Sequence, residues 1–282
     1  VPDLIRKAAD EVIAGDHLEQ FPVDVFQTGS GTSSNMNINE VISNLACQYA
    51  GNPIGAKDPV HPNDHVNMGQ SSNDIVPTVL HVSVAMALQE TLIPSLEHLA
   101  AALEAKSAEF EKVVKIGRTH LMDATPITLG QEFSGYAAQA RKSVARAEKA
   151  VGILAELAIG GTAVGTGINC HPDFPGKVAR ILSEDTGISF READNHFEAQ
   201  GGRDDSVEVA GLITTIAASL TKIGNDIRLL GSGPRSGLGE ISLPSTQPGS
   251  SIMPGKVNPV MSEMLVQSAM YAMGLGNTVA LC

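Results

Sequence analysis

The sequence has little with which to build covalent or metal cross-links: three cysteines in 282 residues, Cys47, Cys170 and Cys282, an odd number without CxxC spacing. That argues against a disulfide framework and a cysteine metal site, and fits a reducing, cytoplasmic setting. Basic residues are also short, 19 Lys and Arg against 31 Asp and Glu, a formal net charge of −12. None of them cluster densely enough to track a phosphate backbone, so nucleic acid is not an expected partner. No unbroken apolar run approaches the roughly 18 residues of a membrane helix, and residues 1–16 read as an ordinary charged helix with no export signal, so no membrane partner is expected. The chain opens on Val1 inside that helical pattern, so an upstream portion is expected to be missing. Strand signals are scarce.

What the sequence has in quantity is helical periodicity. With 43% hydrophobic and 18% charged residues the chain can bury a sizeable core. Apolar residues recur at three and four positions along Val209, Leu212, Ile216, Leu220, Ile223, Ile227 and Leu230, along Leu88, Leu92, Leu96, Leu99 and Leu103, and along Phe133, Ala137, Ala140, Val144, Ala147, Val151 and Leu154. Each set lies on one face of a 3.6-residue helix. The first and third span more than about 30 Å at 1.5 Å per residue, which suits a long helical bundle. Apolar residues off these stripes, such as Val79, Val82, Ile213 and Ala217, call for cover on several sides, which oligomerisation through the bundle would supply.

Between the periodic stretches lie polar or glycine-rich segments: 27–39, 61–74, 117–128, 160–169 and 231–258. The last is much longer than a normal connection, and a compact fold keeps such a loop mainly for binding or gating. It contains Gly249-Ser250-Ser251-Ile252-Met253-Pro254-Gly255-Lys256-Val257-Asn258-Pro259, with two hydroxyls, an ammonium and an amide close together. Asn258 before Pro259 has the order of an N-cap and a first helical residue, which would aim free N–H groups and a partial positive charge into the loop beside Lys256. An anion site follows from that arrangement.

The segment GSSIMPGKVNP closely resembles the signature of the fumarase/aspartase superfamily. The stretches QTGSGTSSNMNINE, HPNDHVNMGQSSND, GRTHLMDATPITLGQ and GGTAVGTGIN match it in the same order, so the resemblance covers essentially the whole chain. Aspartases usually carry Gln where this chain has His120 and Ala where it has Gly255, so within the superfamily the chain resembles the class II fumarases.

The resemblance implies an all-α fold: an incomplete N-terminal helical domain over 1–70, then a long central bundle over 71–282 with four of the family's five long helices. The fifth helix and the C-terminal domain are expected to be absent. It implies a lyase that hydrates fumarate reversibly to (S)-malate, with no cofactor and no metal. Ser250 would remove the C3 proton, while Lys256 and Asn258 stabilise the doubly charged aci-carboxylate. Such a proton is weakly acidic, so donors already in place must stabilise the charge as it forms.

His120 is implied to pair with Glu263 and share a proton with water. Thr32, Ser71, Ser72 and Asn73 would hold the substrate carboxylates, with Ser30, Asn35 and Thr119 nearby. His61, Asn63 and Asp64 fall on a turn that in some fumarases binds a second dicarboxylate, although Asp58 stands at about the place of the usual arginine. Each site is expected to draw on three subunits of a homotetramer, and the long loop is expected to act as a lid. The other readings are an aspartate ammonia-lyase and a catalytically inactive structural relative or fragment.

Overall fold

The structure is a computed structural model that describes all residues, 1–282. Helices dominate it, as expected. In chain order they are α1 (Pro2–Ile13), α2 (Thr32–Tyr49), α3 (Ser72–Ala87), α4 (Ile93–Glu109), α5 (Leu129–Ile153), α6 (Phe174–Thr186), α7 (His196–Gly201), α8 (Asp204–Leu230) and α9 (Val260–Leu281). A wide π-type turn, Leu88–Leu92, joins α3 to α4, so helical structure runs without a break from Ser72 to Glu109. Four short strands complete the fold: an antiparallel hairpin of β1 (Val114–Thr119) and β2 (Met122–Thr128), and a parallel pair of β3 (Glu156–Leu157) and β4 (Arg191–Glu192).

Packing divides the chain into two compact units, each made of two sequence segments. One comprises Val1–Ala85 with Leu154–Arg203, the other Met86–Ile153 with Asp204–Cys282. In the first unit α1 packs on α2. Its core joins Ala46 and Cys47 of α2 to Val60, with Leu4 and Ile5 of α1 against them.

In the second unit α4 packs on α5, α5 on α8, and α8 on α9. The three apolar stripes face inward as their period dictates: Leu96 and Leu103, Phe133, Ala137, Ala140, Val144 and Ala147, and Val209, Ile216, Ile223 and Leu230 are all buried. Alanine on α5 brings α4 and α8 close, and Phe133 wedges edge-on between Phe110 and Tyr136 with ring centroids 5.3 and 5.5 Å away. Such edge-to-face pairs add about 1 kcal/mol beyond their buried area. At the α8–α9 crossing a side chain on Gly224 would start 2.9 Å from Val266 Cγ2, so the missing Cβ sets how near α9 lies.

Two features go beyond the sequence reading. The helices Ser72–Glu109 and Asp204–Leu230 are long and apolar enough by composition to cross a membrane, although no unbroken apolar run suggests it. Serine, threonine and glycine interrupt the run without making the average polar. Only 22% and 28% of those apolar windows are buried, so both helices keep open apolar faces in the single chain.

Second, residues 114–128 form a hairpin where the sequence shows only a polar connection. Its turn, His120-Leu121, places both residues at positive φ, 55° and 63°. Two-residue hairpin turns of that kind favour Asn-Gly, so a His-Leu pair gives no local signal of one.

Candidate active site

The first unit gathers six of the sequence-derived candidates around the N-terminus of α3. Ser30 Oγ lies 2.9 Å from Thr32 Oγ1, and Asn35 Nδ2 donates to Ser72 Oγ at 3.0 Å. Ser71 stands just before the helix, where its Oγ accepts from Asn73 N at 3.3 Å. Asn73 reaches away from its own helix and donates from Nδ2 to Ala163 O at 2.7 Å.

Ser30, Ser72 and Asn73 line an open cavity of about 560 Å³ whose lining also includes Ala163, Val164 and Arg203. The cavity thus lies at the N-terminal end of α3, which carries a partial positive charge. Arg203, the one charged side chain of the lining, is absent from the sequence-derived candidates; no periodicity or spacing marks it.

A second residue that sequence reasoning misses is Asp74, which is 0% exposed. Its Oδ1 accepts from Ser71 N at 2.8 Å, and its Oδ2 accepts from Gly160 N at 3.0 Å and Thr162 N at 2.9 Å. The first of these bonds, with Ser71 at the cap and an acid three residues on, has the spacing of a capping box, the signal that could have drawn attention to it.

The second unit carries Ser250, Lys256, Asn258, Glu263, Thr119 and His120. Ser250 Oγ accepts from the backbone N–H groups of Ile252 at 3.3 Å and Met253 at 3.1 Å. Asn258 is not the helix cap that its sequence suggests. The helix α9 begins at Val260 after an uncapped Pro259, while the Asn258 amide donates to Gly249 O at 2.7 Å. Closing the loop has taken the side chain that a local reading gives to the helix. Lys256 is exposed in the same loop, and Glu263 sits in the first turn of α9.

Thr119 ends β1 and His120 follows it, both exposed at the tip of the hairpin. Left-handed backbone at His120 and Leu121 costs about 1 kcal/mol or more per residue, strain of a kind that gathers at functional positions. Within one chain the histidines in contact with carboxylates are His17, His61, His171 and His196, so His120 and Glu263 are not paired there.

The hairpin is tied to the long loop by charge. Arg118 Nη2 lies 2.5 Å from Glu240 Oε1, and Lys115 Nζ, 2.5 Å from Glu240 Oε2, also pairs with Glu132 of α5. Burial pushes the Glu240 carboxyl up, but hydrogen bonds from Arg118 and Lys115 outweigh it and hold the group below the ordinary carboxylate value. A depressed folded pKa contributes stability that is complete above the unfolded pKa and is lost as pH falls through the folded one. Glu240→Gln is therefore expected to cost about 2 kcal/mol near neutral pH, and its deficit in Tm relative to the parent should shrink as the pH drops below the ordinary carboxylate range. Thermal unfolding across that range checks it, and a deficit that grew in acid would contradict the ion-pair account.

On the remaining turn, His61 Nδ1 accepts from Asn63 N at 3.2 Å and Asp64 N at 3.3 Å, and His61 N donates to His65 Nδ1 at 2.8 Å. These bonds give His61 a cap's work in a helical turn. No group of three His, Cys, Asp or Glu side chains in the chain is placed to hold a metal ion.

Residues 2–274 match the family described as Lyase, and the chain belongs to that family. The relatives it resembles include fumarate hydratases. The class II fumarate hydratase of Methylorubrum extorquens is 57% identical over 281 residues, which are 99% of this chain and 59% of that protein. The mitochondrial fumarate hydratase of Rhizopus oryzae is 55% identical over 280 residues, 99% of this chain and 57% of that protein. The crystal structure of the class II fumarase from Schistosoma mansoni superposes with a TM-score of 0.95 at 43% identity, covering 99% of this chain and 61% of that one. The chain thus spans about three fifths of the length of the relatives it matches.

Proposed function

We propose that this chain carries the catalytic segments of a fumarate hydratase, which adds water reversibly to fumarate to give (S)-malate. The observation that carries the reading is the Ser250 loop, where the hydroxyl oxygen already accepts two backbone N–H bonds while Lys256 and Asn258 stand a few residues away. Hydrogen bonds to the charged form favour it, so the two donors and a nearby ammonium lower the cost of a serine alkoxide able to take the C3 proton. The electron pair from that C–H bond moves onto the neighbouring carboxylate. Lys256 and Asn258 then stabilise the dianionic aci-carboxylate, and collapse of that intermediate forms the double bond as hydroxide leaves and is protonated to water.

His120 supplies or removes that proton, oriented by Glu263. The two are unpaired within one chain, which supports a site completed by three subunits of a homotetramer, with the open apolar faces of the long helices covered by assembly. Residues 1–70 then serve within the first compact unit as the N-terminal domain, and the long helices α4, α5, α8 and α9 of the second as the bundle. Substrate carboxylates lie against Ser72 and Asn73 at the α3 N-terminus, with Ser30, Thr32, Asn35, Ser71 and Thr119 around them. Arg203 offsets the acidic net charge locally. Closure of residues 231–258 over the substrate excludes water from the intermediate.

A second reading is aspartate ammonia-lyase chemistry on the same scaffold, which His120 and Gly255 disfavour. The test measures the full-length protein against malate and aspartate by the absorbance of fumarate formed. Faster water release from malate is expected; faster ammonia release from aspartate would replace the reading by the second, and neither reaction would leave an inactive relative.

A further inference from the structure

We infer that Asp74 is a positioning residue for substrate binding, clamping the α3 N-terminus to the Gly160–Val164 segment so that Ser72 and Asn73 face the cavity in fixed geometry. The inference rests on the proposed function and deepens it. The side chain is wholly buried, yet it has no cationic partner; three backbone N–H groups serve its two oxygens instead. Two of those donors, Gly160 and Thr162, lie 86 and 88 residues along the chain, in a turn whose left-handed residues include both of them, at φ 103° and 54°. Asn73, its neighbour, donates to Ala163 O in the same stretch. Both ends of this clamp reach the cavity, through Ser72 and Asn73 on one side and Ala163 and Val164 on the other.

A helix cap alone needs only the bond to Ser71. The second oxygen serves no helix; it fixes where a distant glycine-rich turn stands against Asn73, and through the Ala163 carbonyl it decides how the Asn73 amide points. A carboxylate suits the task because both oxygens accept. An amide there would turn its own N–H groups toward those of Gly160 and Thr162 or of Ser71.

The experiment uses the full-length enzyme. Asp74→Asn is expected to raise KM for fumarate at least about tenfold while kcat falls by less than about threefold, since the chemistry resides in the Ser250 loop and uniform binding is lost. Asn73→Ala should raise KM similarly, and the double variant should add little to either, because one acts through the other. A purely structural role would lower Tm and the active fraction but leave KM per folded enzyme unchanged, and that outcome overturns the inference, as does full additivity.

Should Asp74→Asn fail to fold, hydrogen exchange on the unsubstituted enzyme decides. The Gly160 and Thr162 amides should exchange as slowly as those in the middle of α5, whereas exchange at the rate of exposed loops would refute the clamp. An unsubstituted enzyme without fumarate hydration would instead defeat the proposed function, while slow exchange at those two amides would still stand.

Discussion

Ser250→Ala is expected to lower kcat at least about a hundredfold, the lower range for loss of a general base, with dicarboxylate binding and assembly preserved. The change removes one oxygen and nothing else from the loop. The N–H groups of Ile252 and Met253 that it releases are in exposed residues and turn to water at little cost. The loop stays closed through the bond from Asn258 Nδ2 to Gly249 O, so the effect reads the chemistry rather than the fold. Fumarate formation from malate, followed by absorbance with circular dichroism as the check on folding, measures it. Ser251→Ala, at an exposed neighbour, should stay near the parent. Turnover close to native in Ser250→Ala would move the base to another residue.

Gly249→Ala is expected to cost kcat a comparable factor while removing none of the proposed catalytic side chains. A Cβ at Gly249 would stand 2.0 Å from Lys256 O and 2.9 Å from Lys256 C, both backbone atoms that no rotamer change can move away. The contact between Gly249 and 256–258 must open, shifting Ser250 relative to Lys256 and Asn258. A misplacement of about 1 Å can cost on the order of a hundredfold in rate. Residues 251–257 are exposed and lie outside the core clusters, so Tm should hardly change, and a clear loss of kcat without loss of Tm is the signature sought. Native kcat in Gly249→Ala would show that the closed loop is not the arrangement in which the reaction occurs.

The helices and the polar segments between them are legible in the amino-acid sequence. Val209, Ile216, Ile223 and Leu230 are all buried along α8, as their spacing requires, because helical period is a local property that side chains report directly. The polar segments also stand out by composition, and six of their residues do converge at one helix N-terminus. The hairpin that carries His120 does not show, because its turn residues are His and Leu in left-handed conformations that tertiary context must impose. Asn258 misleads in the opposite sense: its order before Pro259 reads as a cap, yet its amide serves the loop.

What the sequence by itself determined is which segments become helix, which faces they bury, and which chemical groups are available, since all three depend on neighbours a few positions apart. Which partner each polar group takes was decided by the tertiary structure alone. Asp74 shows the division within one side chain: its bond to Ser71 follows from a three-residue spacing, whereas its bonds to Gly160 and Thr162 exist only because folding brings in a turn from more than eighty residues away. A buried carboxylate must satisfy both oxygens, and no local pattern records where the second set of donors will come from.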